Sequence, residues 1–248
     1  MGKSSSDLPM KIRVDKWLAN SGFGSRKEVK DLVRQGRVLV NGQFVHEGKT
    51  KIGEEDRVEV DGQPSTYAPY VYYLLNKPKG VISASRDRRE TVLDLLKEED
   101  RREGLFPVGR LDRDTTGLLL LTNDGRLAHK LLSPGRKVKK HYLALLDKDI
   151  DSEDQRHFQE GFDLSPEQIH TKPARLIRRK ACLAEVEIVE GKYHQVKRMF
   201  ALCGKEVLAL RRLSMGPLQL DVELKEGEYR PLTEEEQQAL LEATGESR

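Results

Sequence analysis

Apolar residues along this chain recur in short bursts whose spacing changes with position. Val14, Trp17 and Leu18 fall at i, i+3 and i+4, a one-sided stripe that predicts a short helix ended by Gly22 and Gly24. Ser25-Arg26-Lys27-Glu28 has the spacing of a capping box, and Val29, Leu32 and Val33 supply the stripe of a second helix that stops at Gly36. The period then shortens. Val38-Leu39-Val40 meets Asn41-Gly42, the dipeptide of a type I′ hairpin, with Gln43-Phe44-Val45 returning and a further strand from Asp56 to Val60. Residues 63–69 hold two prolines and no apolar period, so they read as a stiff linker. Residues 1–9 carry too few apolar groups to pack and read as a disordered arm.

Beyond the linker the bursts become longer. Val71 to Leu75 predicts a strand closed by Asn76-Lys77-Pro78-Lys79-Gly80, and Thr91 to Leu96 reads as a helix. Leu118 to Leu121 are four leucines without alternation, the pattern of a strand covered on both faces. Asn123-Asp124-Gly125 turns the chain into a helix with Leu127, Leu131 and Leu132 inward. Tyr142 to Leu146 is a strand, and the polar stretch from Asp149 to Gly161, anchored by Phe158, is a surface helix. Leu183 to Val189 predicts another strand. The segment GKYHQVKRMF, residues 191–200, opens a helix with Val196, Met199 and Phe200 inward. Two strands, Leu208 to Leu213 and Leu218 to Leu224, and a helix capped by Thr233 and Glu236 complete the pattern, with residues 244–248 expected to fray.

At 248 residues there is room for a small domain and a larger one. A net charge of +3 says little about partners, but its distribution does. Between Lys11 and Arg37 eight basic residues (Lys11, Arg13, Lys16, Arg26, Lys27, Lys30, Arg34, Arg37) face three acids, which suggests a polyanion as partner or an ordinary solvated helix surface. Cys182 and Cys203 have neither disulfide nor metal-ligand spacing. There is no apolar run near the roughly 20 residues that span a bilayer, no P-loop, no GxGxxG and no His/Cys cluster. The expectation is a soluble, cytoplasmic monomer that uses no metal, no nucleotide and no other cofactor.

Candidate chemistry centres on Asp112. It sits in a turn-prone, charged loop directly before the leucine strand, so it would be held firmly at the edge of a packed sheet. Arg110 and Arg113 flank it, and cationic neighbours favour the ionised form that a nucleophile or general base needs. A turn or cap aspartate would look the same locally. Asp112 and Asp114 together could instead hold a divalent metal for hydrolysis, although no third acidic ligand lies nearby in sequence. Arg178-Arg179-Lys180 reads equally as a nucleic-acid-facing rim or a solvated hairpin turn.

Residues 109–125, GRLDRDTTGLLLLTNDG, resemble the signature loop and strand of the pseudouridine synthases, with Asp112 at the position of the family's catalytic aspartate. The helix-helix-hairpin order over residues 10–62 resembles the S4 RNA-binding domain. The resemblance implies an α+β chain: a small S4 domain, then a catalytic domain over residues 70–243 built on a mostly antiparallel mixed β-sheet with flanking helices. LNKPKG, residues 75–80, is similar to the family's first motif and puts Lys77 and Lys79 within reach of phosphates, unless it is a plain strand-ending turn. Tyr142, close after Lys140, matches the tyrosine that lies over the target base and is a possible base for the C5 proton. GKYHQVKRMF is similar to the third motif, in which Lys197 would pair with Asp112, where many relatives have arginine.

Arg110, Lys77, Lys140, His194, Gln195 and Arg198 are then the candidate substrate contacts. Arg13, Lys16, Arg26, Lys27, Lys30, Arg34 and Arg37 are the S4 contacts to RNA. The implied reaction is cofactor-free isomerisation of uridine to pseudouridine in ribosomal RNA. The motifs at residues 171–174, 191–200 and 227–236 favour one uridine of 16S rRNA, or of an assembling small subunit, over 23S rRNA. A non-catalytic RNA-binding factor for ribosome assembly stays open as the alternative from another class.

Overall fold

The computed structural model describes residues 11–53, 55–65 and 70–245. The proposed arm at residues 1–9 and most of the proposed linker therefore lie outside the described residues. The chain divides into two compact units. One runs to Val71 and takes in Leu96–Leu105 as well, and the other comprises Tyr72–Leu95 and Phe106–Arg248. Leu96–Leu105, which the sequence places with the larger domain, packs instead with the first unit.

The first unit follows its apolar pattern. Helix α1 (Val14–Asn20) and helix α2 (Arg26–Arg34) face strands β1 (Val38–Val40), β2 (Gln43–Phe44), β3 (Val58–Val60) and β4 (Gln63–Ser65), which form one sheet in the order β2-β1-β3-β4. The Ser25 side chain accepts from the backbone N–H of Glu28, whose carboxylate accepts from Ser25 N–H, so both halves of the capping box are made. Asn41 and Gly42 take positive φ, 51° and 78°, as a type I′ turn demands. Trp17, Leu18, Val29, Val33, Val38, Ile52 and Val58 form a core in which none is more than 2% exposed. Gln63–Ser65, which reads as linker in the sequence, is a strand. Its pairing with β3 is reinforced by Trp17, whose indole N–H donates to the buried Ser65 hydroxyl at 3.2 Å.

The second unit is built on one large mixed sheet. Its labelled strands are β5 (Tyr72–Lys77), β6 (Thr116–Thr122), β7 (Lys140–Leu146), β8 (Arg175–Lys180), β9 (Leu183–Ile188), β10 (Val207–Met215) and β11 (Tyr229–Pro231), in the order β8-β9-β7-β10-β6-β5-β11. Every junction along this path is antiparallel except β10 with β6, which run parallel and pair only at Arg211↔Thr116 and Arg212↔Gly117. Helices α3 (Gly125–Leu132), α4 (Ser152–Glu160), α5 (Gln195–Leu202) and α6 (Glu234–Thr244) complete it. Leu118 to Leu121 are each 0% exposed, as a strand covered on both faces requires. Asp124 caps α3 by accepting from the N–H groups of Arg126 and Leu127, and receives the Tyr72 hydroxyl at 2.9 Å. Phe158 anchors α4 against Phe162 and Phe200.

Five local expectations fail, among them the strand expected from Leu218 to Leu224, which is only Leu218–Gln219. Thr91 to Leu96 is a set of turns and not a helix. Asp94 accepts from both the N–H and the hydroxyl of Thr91 at 2.8 Å, and six residues are too few to outweigh that local alternative. The helix expected from Gly191 begins at Gln195, because His194 is left-handed with φ 48°. Leu132 points outward and is 42% exposed. Thr244 does not fray: it is buried, its hydroxyl donates to the Leu240 and Leu241 carbonyls, and Gly245 follows as a left-handed cap.

Candidate active site

Gly117 explains how the Asp112 loop is brought to the sheet. Its φ is +100°, and a Cβ there would lie 2.3 Å from the Arg212 carbonyl oxygen, so only glycine permits β6 to meet β10 at this point. Asp112 lies five residues upstream, in a loop held by Ser83, Gly80 and Lys77. Ser83 grips Leu111 twice, its hydroxyl donating to the carbonyl at 3.0 Å and accepting from the N–H at 3.1 Å. Gly80 N–H donates to the Arg113 carbonyl at 2.7 Å, and Arg113 Nε returns a bond to the Gly80 carbonyl.

Lys77 completes this clamp and corrects its expected role. Its ammonium is fully buried and donates to the carbonyls of Pro78, Arg113 and Thr115 at 3.0, 3.4 and 3.0 Å, which uses all three of its N–H bonds inside the fold. Burial pushes its pKa down to about 8, while Asp114 and Asp112 act the other way. Lys77 braces the aspartate loop and cannot reach a phosphate.

Asp112 itself faces α5. Its Oδ2 lies 3.3 Å from Lys197 Nζ and its Oδ1 3.5 Å from His194 Nε2. Lys197 also donates to Asp114 Oδ1 at 2.5 Å, so one ammonium bridges two carboxylates. That hydrogen bond holds the Asp114 carboxyl below the usual carboxylate range. A divalent ion between these two aspartates would occupy the same position, and among the described residues no group of three or more His, Cys, Asp or Glu side chains could hold a metal. The ring of His194 stacks on Tyr193 with centroids 3.9 Å apart, and Tyr193 is 65% exposed.

A cleft of roughly 930 Å³ opens beside this group, lined among others by Arg110, Asp112, Lys140, Tyr142, His194 and Arg212. A smaller niche of about 70 Å³ adjoins it and is lined among others by Asp112, Thr115, Tyr142, Leu210 and Lys197. Tyr142 is 7% exposed and lies directly opposite Val186 on β9 and Arg212 on β10. Along β7 the residues Lys140, Tyr142, Ala144 and Leu146 alternate onto the buried face, so Lys140 and Tyr142 share it. Burial pushes the Lys140 pKa down to about 8, Arg212 acting in the same direction and Glu190 opposing.

Two further candidates have structural roles. Gln195 is buried, accepts from Lys192 N–H and donates to Glu190 Oε1, both at 2.9 Å, and so braces the turn into α5. Lys172 N–H reaches the same Glu190 oxygen, which ties the 171–174 segment to this turn. Arg198 turns away from the cleft and spends its guanidinium on Glu167, the Ser165 carbonyl and the Tyr193 carbonyl. In the first unit Arg13, Arg26, Arg34 and Arg37 are paired with Asp15, Glu103, Asp31 and Asp61, whereas Lys16, Lys27 and Lys30 are exposed. Ser83 and Arg212 do not stand out in the sequence. A serine in a loop and an arginine on a strand carry no local sign of what they will face.

A clamped aspartate paired to a helix lysine, with a buried tyrosine lining the same cleft, suits an enzyme that modifies RNA. The chain belongs to the RNA pseudouridylate synthase family, whose model matches residues 71–202, and carries an S4 domain over residues 12–66. It is 46% identical over 237 residues to an RNA pseudouridine synthase of Bacillus subtilis (strain 168), covering 93% of this chain and 99% of that one. It is 38% identical over 227 residues to the ribosomal small subunit pseudouridine synthase A of Escherichia coli (strain K12), covering 91% and 98%. A crystal structure of a pseudouridylate synthase superposes with a TM-score of 0.66 at 37% identity, covering 92% of this chain and 99% of that chain. The non-catalytic alternative gives way to an enzyme, an RNA pseudouridine synthase. No helix among the described residues is long and apolar enough to cross a membrane.

Proposed function

We propose that this enzyme isomerises one uridine of 16S ribosomal RNA to pseudouridine, with Asp112 as the carboxylate that acts on the sugar. The observation that carries the reading is the placement of Asp112 between Lys197 and His194, facing Tyr142 across the niche. Relatives named as small-subunit synthases, at 36–38% identity over more than nine-tenths of the chain, support the choice of RNA.

A uridine must leave its stack to enter the cleft, and a ring face such as Tyr142 offers support to the flipped base. The N1–C1′ bond then breaks, Asp112 meets the electron-deficient C1′, and the base turns and rejoins through C5. A proton leaves C5 and one is gained at N1, so reactant and product are isomers and the balance calls for no redox partner or donor. The exposure of Arg110, which lines the cleft, supports a contact to the RNA backbone, and the exposed Lys16, Lys27 and Lys30 support phosphate contacts by the S4 domain.

The test is a pseudouridine map of both ribosomal RNAs from a strain lacking the gene, followed by conversion of the affected site with purified protein and no added cofactor. One uridine missing from the 16S map and restored in vitro is the expected result. A loss confined to 23S rRNA would overturn the choice of substrate.

A further inference from the structure

Arg212, which pairs with Tyr142 across neighbouring strands, is a charged group of this cleft with no part in the reaction described above. Arg212 is 2% exposed. Its Nε donates to the Leu118 carbonyl at 2.8 Å, and its Nη2 is buried without a hydrogen-bond partner among the described residues. A buried polar group left unpaired is rare and calls for an explanation, the more so for a cation.

Its position comes from an irregularity. β7 and β10 pair as Lys140↔Met215 and His141↔Ser214, then the register shifts, and Tyr142 faces Arg212 where regular pairing would offer Leu213. A bulge of this kind redirects one side chain, and here it sets a guanidinium opposite the tyrosine and on the same face as Lys140. The nearest acid acting on Lys140 is Glu190, whose carboxylate already accepts from Lys172 N–H and Gln195 Nε2. Two cations thus lie at the floor of the cleft beside the base-supporting ring.

We propose that Arg212, with Lys140, stabilises the negative charge that the uracil ring carries while it is detached from the sugar. The inference rests on the reading of this cleft as the place where Asp112 acts. When the N1–C1′ bond breaks, both electrons leave with N1 and spread on to O2 and O4, while C1′ is taken up by the Asp112 carboxylate. On re-attachment an electron pair of the anionic ring forms the C5–C1′ bond while the C1′–O bond to Asp112 breaks and its pair returns to the carboxylate; the C5 proton then departs and N1 gains a proton, so the charge exists only between the two bond changes. Cations aimed at charge that develops in the reaction accelerate it, whereas a cation on a phosphate holds ground state and transition state alike. A phosphate would also be met at the exposed rim, where Arg110 stands, and not at a floor position that is almost wholly buried.

The experiment compares single-turnover scission of the N-glycosidic bond in transcribed 16S rRNA containing either uridine or 5-fluorouridine. The fluorinated base is more acidic and is a better leaving group, so it has less need of a cation. Arg212→Gln should slow scission of uridine by about 10²- to 10³-fold, the usual effect of removing one donor to a developing anion. Its effect on 5-fluorouridine should be at least tenfold smaller, with RNA affinity unchanged. Lys140 donates to the Val138 carbonyl at 3.3 Å, and Lys140→Met should show the same pattern and serves if Arg212→Gln does not fold. Equal slowing on both substrates, or a loss of affinity with the rate intact, would overturn the proposal. Asp112→Asn run in parallel separates the two readings: activity in that variant would sink the assignment of the cleft, while its inactivity alongside equal slowing would sink only the role of Arg212.

Discussion

Replacing Lys197 with methionine removes the ammonium that bridges Asp112 and Asp114 while keeping a chain of similar length. In the free enzyme the consequence for stability is modest. The Lys197 and Asp112 side chains are 22% and 24% exposed and Asp114 is 60% exposed, so water screens the pair and takes up much of the charge left behind. The loss should fall between the values for surface and buried pairs, about 1 to 2 kcal/mol. With RNA bound and the niche closed over a base, water is excluded and Asp112 is left with an uncompensated neighbourhood. The cost then approaches that of a broken buried pair, about 3 to 5 kcal/mol, which corresponds to a rate lower by about 10²- to 10⁴-fold. Lys197→Arg keeps the charge and should retain much of the rate if the wider guanidinium fits between the two aspartates. Thermal unfolding and single-turnover pseudouridine formation, measured on both variants, separate the two effects. A wild-type rate in Lys197→Met would refute the reasoning and make the ion pair incidental.

Gly117→Ala should destabilise the larger domain by about 2 kcal/mol or more, since it combines positive φ with a Cβ 2.3 Å from the Arg212 carbonyl oxygen; a melting temperature within error of wild type would contradict this. Removing Lys16, Lys27 and Lys30 together should reduce the log-log salt slope of RNA binding by about 0.7 to 0.9 for each phosphate that is no longer neutralised, as read by filter binding across a salt series; an unchanged slope would make them solvated surface lysines. Lys140, with a pKa of about 8 set by burial beside Arg212 and opposed by Glu190, is charged below that pH and neutral above it. The single-turnover rate should therefore fall as pH rises through about 8, and Lys140→Arg should abolish the fall. If the fall persists in Lys140→Arg, Lys77, which titrates in the same range, is its source.

Local chemistry is readable wherever one segment decides its own structure. The capping boxes at Ser25 and Thr233 and the Asn41-Gly42 turn carry their signals within four residues, and the unbroken leucines of β6 need only a sheet covered on both sides. The motif around Asp112 is likewise visible, and so is its pairing with Lys197 through the family resemblance. What escapes depends on distant strands. Lys77 reads as a basic residue in a turn, yet three carbonyls from two segments claim its ammonium. Gln195 and Arg198 occupy the same helix as Lys197, but its first turn is set by Glu190 and its outer face by Glu167, neither of which periodicity reveals. Arg212 reaches the cleft only because the register shifts by one residue beside Tyr142, and a bulge leaves no trace in an apolar run.

The proposed role of Asp112 is tested by tritium release from C5-labelled uridine in 16S rRNA by Asp112→Asn. The amide keeps the size of the side chain and removes its charge, and the loop remains held through Ser83, Gly80 and Lys77. The variant should bind RNA with close to wild-type affinity and release no tritium. Release at the wild-type rate would contradict that role.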